Sequence, residues 1–223
     1  ITIDASTEGI STGEADLILL APLSISNGGV ASTGGIVSLS VGGQLSGTGI
    51  LDVSGSTWGL GGDFVKSSGT LTTSQTNLEL AGSSITLTSD EGLSFVNLNL
   101  NDYALTLGSS TSDLTVQNTI TIDASTEGIS TGGADLTLLA SLNISNGSVT
   151  STGGIISLHC SDICKDLGGG QLSGSGILDV SGSTWVLVGN FVKSGGTLTN
   201  SQTVLKLEGH STLTSNVALS FVT

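Results

Sequence analysis

The thirteen residues ITIDASTEGISTG at positions 1–13 return unchanged at 120–132. Around them a unit of 119 residues is duplicated, with seven differences between 1–39 and 120–158. After Leu158 the register jumps by eight residues, and 44–80 then matches 171–207 with eight differences. The chain closes at 219–223 in a match to 93–97. We therefore divide it into a first long repeat unit, 1–119, and a second, incomplete one, 120–223, with a loop inserted at 159–166. Near-identical long repeats are the signature of an array that grows by duplication, in which each unit packs on its neighbour. The chain opens and closes inside a repeat, so we read it as a piece of a longer protein.

A finer period runs inside the unit. Apolar pairs fall at Leu78/Leu80, Ile85/Leu87, Leu93/Phe95, Leu98/Leu100, Leu105/Leu107, Leu114/Val116 and Ile120/Ile122, about seven residues apart on average. Apolar-polar-apolar is the period-two pattern of a half-buried strand. Gly, Ser, Asn and Asp fill the gaps as turn residues. No sustained 3.6-residue apolar stripe occurs, so essentially no helix is expected. Three strands of seven residues make a coil of about 20, within the range of solenoid repeats. A β-sandwich is the alternative, but it calls for longer strands and more aromatics. The expected fold is all-β, a parallel β-helix of about ten coils forming one continuous solenoid. At roughly 4.8 Å per coil it would be about 50 Å long.

Composition agrees with thin layers of small apolar side chains. Aromatics make up 3% of the chain and charged residues 10%, yet mean hydropathy is +0.37. That balance opposes disorder, which needs low hydrophobicity and high charge. Only four lysines, Lys66, Lys165, Lys193 and Lys206, stand against 18 acidic residues, for a net charge of −14. A phosphate-tracking surface needs clustered Lys and Arg, so nucleic acid is excluded as a partner. No apolar run reaches the ~18 residues of a membrane-spanning helix. The longest, residues 17–23, is interrupted by Pro22.

Residues 42–55, GGQLSGTGILDVSG, and 68–72, SGTLT, resemble the repeats of bacterial filamentous haemagglutinins and autotransporter passengers. The resemblance extends in texture over the whole chain. It implies a right-handed parallel β-helix on a cell surface or in a secreted fibre, and it carries over no functional residue.

The inserted loop, HCSDICKD at 159–166, holds both cysteines. Cys160 and Cys164 are candidates for a small-loop disulfide, which suits an oxidising compartment. Free or intermolecular thiols, and a metal site with His159 and Asp162, are the other readings. Zinc sites usually draw on a second ligand pair at defined spacing, and none follows. Trp58 and its counterpart Trp185 are candidate repeated surface contacts for glycans, or else covers for a coil edge. The acids Asp4/Asp123, Glu8/Glu127, Asp16/Asp135 and Asp52/Asp179 recur in both copies, as turn residues or weak calcium ligands would. Glu14, Asp63 and Glu79 instead become Gly133, Asn190 and Lys206, as solvated positions do. Scattered acids without basic partners argue against paired-carboxylate catalysis. His210 faces no counterpart histidine in the first copy. Asn143 and Asn146 open glycosylation sequons, and short Thr-x-Thr runs lack the regular spacing of an ice-binding face.

The sequence thus leads us to expect a non-enzymatic structural segment of an extracellular fibre or surface appendage, without cofactor or metal. Its expected partners are further copies in the parent chain or self-association, end to end or lateral. An adhesin stalk that binds glycans is the second reading, and a β-helical polysaccharide-active enzyme the third.

Overall fold

The computed structural model describes residues 1–82, 84–109, 111, 113–159 and 169–222. Every regular element among them is a strand, and all the strand pairs are parallel. The chain is a β-solenoid of about ten coils, divided into two compact units, Ile1–Thr111 and Ser112–Thr223.

In the first unit three faces alternate strand by strand. The first face stacks Thr2–Ile3, Leu23–Ile25, Gly43–Leu45, Phe64–Lys66, Ile85–Ser89 and Ala104–Leu107. The second stacks Gly9–Gly13, Gly29–Ser32, Ile50–Asp52 and Thr70–Thr72. The third stacks Leu17–Leu19, Ile36–Leu39, Thr57–Leu60, Asn77–Leu80 and Asn97–Asn99. Each strand thus pairs with the third strand on, one coil later, which is what strands spaced by seven residues in a three-sided coil require.

Parallel pairing in unbroken register on the third face turns sequence repeats into spatial ladders. On the third face Leu17, Val37, Trp58, Leu78 and Leu98 are consecutive partners, as are Leu19, Leu39, Leu60 and Leu80. Leu39, Leu60, Leu78 and Leu80 are fully buried. Burying such a side chain stabilises by about 1.5–3 kcal/mol, so these columns supply most of the driving force. Hydroxyls form inner columns too: Ser56 Oγ donates to Ser32 Oγ at 2.9 Å, and both are buried. Their partners lie in neighbouring coils, so desolvation is compensated.

The second unit repeats this arrangement with two fusions, one of them Val204–Ser215, whose counterparts in the first unit are Asn77–Leu80 and Ile85–Ser89. Thr184–Lys193 is a single ten-residue strand whose first half pairs with Ile155–His159 and whose second half pairs with Gly170–Leu172. In the first unit the matching residues form two strands, Thr57–Leu60 and Phe64–Lys66, separated by Gly61, Gly62 and Asp63. Val188 replaces Gly61, and a β-branched residue favours the extended backbone. The inserted residues do not upset the ladder. Ile144 still partners Leu172, although 28 positions separate them where 20 separate Ile25 and Leu45.

Two glycines are forced by close coil stacking. At Gly43 a Cβ would lie 2.5 Å from the Leu23 carbonyl oxygen, and at the matching Gly170 2.0 Å from that of Leu142. The side chains of Phe64 and Phe191, their partners one coil on, are fully buried.

Candidate functional site

The carboxylates of three of the four recurring acid pairs are tied to backbone. Asp16 Oδ1 accepts the Ile36 amide at 2.9 Å, and Asp135 Oδ1 accepts that of Ile155 at 2.8 Å. Glu8 accepts the amides of Asp4 and Ala5, and Glu127 those of Asp123 and Ala124. Asp52 and Asp179 each accept the amide two residues on, from Ser54 and Ser181. Each is a corner brace, since a carboxylate that satisfies turn amides fixes the chain where it changes face. Glu14 and Asp63, which vary between copies, are exposed, although Asp63 Oδ1 also accepts a backbone amide, that of Thr86 at 2.7 Å. No group of three metal-ligating side chains occurs among the described residues.

Trp58 and Trp185 are not surface contacts. Both are completely buried. Trp58 meets Phe64 edge to face at 5.0 Å, and Trp185 meets Phe191 in the same way at 5.2 Å. Each tryptophan shares its strand face with a leucine two positions on, Leu60 or Leu187, and period two carries both inward. Their indole Nε1 atoms have no hydrogen-bond partner among the described residues. A glycan platform at these positions is excluded by burial.

The notable inner groups are two lysines. Lys66 stands in the column Ile3, Ile25, Leu45, Lys66, Ser89, and Lys193 in the column Ile122, Ile144, Leu172, Lys193, Ser215. The Lys66 side chain is wholly buried; its ammonium touches Asp90 Oδ1 and lies 3.4 Å from Glu91 Oε1. The ammonium bonded to Asp90 holds that carboxyl below its ordinary value of 3.8, against a smaller opposing effect of desolvation. In the second unit Lys193 Nζ donates to Asn216 Oδ1 at 3.1 Å and to the Gly195 carbonyl at 3.2 Å. Asn216 occupies the place of Asp90, and Val217 that of Glu91. The backbone repeats the pairing, because the Asp90 amide donates to the Lys66 carbonyl and that of Asn216 to Lys193. In the sequence these lysines stand out only as two of the four basic residues, inside the matched stretches 44–80 and 171–207. Their parity was the available signal: in Phe64-Val65-Lys66, an inward Phe64 puts Val65 outside and Lys66 inside.

The remaining sequence candidates do not converge. Cys160 and Cys164, with the rest of the inserted loop after His159, lie outside the described residues. His159 ends a strand and is half-buried, while His210 is exposed on the strand Val204–Ser215. Asn146 Oδ1 is engaged by the Gly147 amide and by Ser175 Oγ. A hollow of about 420 Å³ on the last coil is lined by Leu198, Thr199, Asn200, Ser220, Phe221 and Val222, among others, with no acid in its wall. Among the described residues, no helix is long and apolar enough to cross a membrane. Compared with family models, curated proteins and solved structures, the chain matches none.

Proposed function

We propose that this chain is a structural segment of an extracellular fibre or surface appendage, and that its coils stack on further coils, in the parent chain or in another copy. One observation carries the reading. Leu207 ends the column of Val116, Leu138, Leu158 and Leu187 and is 52% exposed, whereas its counterpart Leu80 in the first unit is fully buried. Phe221 and Leu205 are half-buried, and their counterparts Phe95 and Leu78 are also fully buried. The same apolar layer is therefore covered in one copy and bare in the other. The strand Val204–Ser215 has the chemistry of a coil-stacking face, with backbone groups along an open parallel edge. Retained inner columns and braced corners, beside exposed positions that drift, fit a scaffold.

Sedimentation velocity over a concentration series, with negative-stain microscopy, tests this. Species that lengthen at constant width are expected. A monomer at every concentration that binds a glycan tightly would favour the adhesin reading. Depolymerisation of a polysaccharide, lost on substituting one aspartate, would establish an enzyme instead.

A further inference from the structure

We propose that Lys66 and Asp90 condense into an intramolecular amide, with Glu91 relaying the proton, so that two neighbouring coils of the first unit become covalently joined. Three observations place the reactants. The Lys66 side chain is fully buried in an apolar column, directly above Leu45. Its Nζ already touches the carboxyl of Asp90, and the backbone bond from the Asp90 amide to the Lys66 carbonyl at 3.2 Å holds the two residues together. Glu91 brings a second carboxylate to 3.4 Å from the same nitrogen.

The reaction balances without an oxidant or co-reactant. An ammonium and a carboxylate hold the atoms of an amide and one water. Proton transfer within the pair gives amine and carboxylic acid. Nζ then attacks Asp90 Cγ, forming the C–N bond. A C–O bond breaks, Glu91 takes a proton from the nitrogen and delivers it to the departing hydroxyl, and water leaves. Fixing the two groups in contact replaces a bimolecular encounter with an effectively unimolecular step. The ion pair is the resting state, so the reaction draws on a minor neutral pair and proceeds slowly during maturation. The second unit is a built-in control. Lys193 faces the amide of Asn216, and Val217 stands where Glu91 would, so no carboxylate is placed to relay the proton.

Intact-mass measurement of the denatured full chain after prolonged incubation tests the proposal. The wild-type chain is expected to be one water lighter than its sequence mass. A chymotryptic digest should then yield a branched peptide joining Lys66 to Asp90. Lys66→Arg retains the charge pair but lacks the reactive amine, and should keep the full mass. Glu91→Gln leaves the pair intact and should also keep the full mass or lose water far more slowly. A wild-type chain that stays at full mass overturns the proposal. Loss of water by Lys66→Arg, or a branched peptide through Lys193 instead, overturns the assignment to this pair.

Discussion

Replacing Trp58 by alanine separates an inner tryptophan from a surface one. Trp58 is wholly buried, its ring meets Phe64 edge to face at 5.0 Å, and Phe95 lies 6.2 Å away. Tryptophan buries about 150–250 Å², which at ~25 cal/mol per Å² corresponds to roughly 4–6 kcal/mol before any relaxation. Measured Trp→Ala costs in packed cores are about 3–5 kcal/mol, and the lost edge-to-face contact contributes about 0.5–1.5 kcal/mol of that. Leu60 is held in the neighbouring column and Leu78 is held one coil on in the column of Trp58 itself, so neither is free to close the gap. Urea unfolding followed by far-ultraviolet circular dichroism measures the change as a lower midpoint. In the variant Trp185 is the remaining indole, so its emission reports the second unit separately. Solenoid units unfold with nearest-neighbour coupling, and the two signals are expected to part, with the dichroism falling first. A loss below about 0.5 kcal/mol is what a surface position would give and would refute the burial.

Other consequences are more local. Gly43→Ala places a methyl 2.5 Å from a backbone carbonyl, and a cost of about 1–3 kcal/mol in urea unfolding is expected. Asp16→Ala leaves the Ile36 amide without its brace and should cost about 1 kcal/mol, with a like loss for Asp135→Ala. In the chain that still has its full mass, before the Lys66–Asp90 amide forms, acid should act on the two units differently. The folded-state pKa of Asp90 is lowered, so its pairing with Lys66 stabilises fully above the ordinary value of 3.8 and is lost as pH falls through the lower folded value. Asp90→Asn, which copies the second unit, should flatten that part of the acid dependence in a pH series of thermal melts.

The fold was legible because backbone and core obey one short period. Pairs such as Leu78/Leu80 and Ile85/Leu87 needed only a parity and a spacing of seven to predict stacked parallel strands. The site was less legible, because reading parity by hydrophobicity fails when the inward residue is polar. Lys66, Ser32 and Ser56 all point inward, and the partners that make this tolerable, Asp90 for the lysine and the serine hydroxyls for each other, lie 24 residues away. Trp58 was open to misreading for another reason. Gly55 before it and Gly59 after it lend the texture of a turn, while Leu60 supplies the apolar pairing that places it inside. The acids at corners recur in sequence, but the amides they brace become visible only once the coils are stacked.

End-stacking rests on the bare layer that includes Leu207. Sedimentation velocity on the wild-type chain, Leu207→Lys and Val65→Lys across one concentration series tests it most directly. Val65 is exposed on a side face, so its substitution serves as the control. Elongating species are expected for wild type and Val65→Lys, and a monomer for Leu207→Lys. Equal association by all three chains, or none by wild type at any concentration, would contradict stacking through this face.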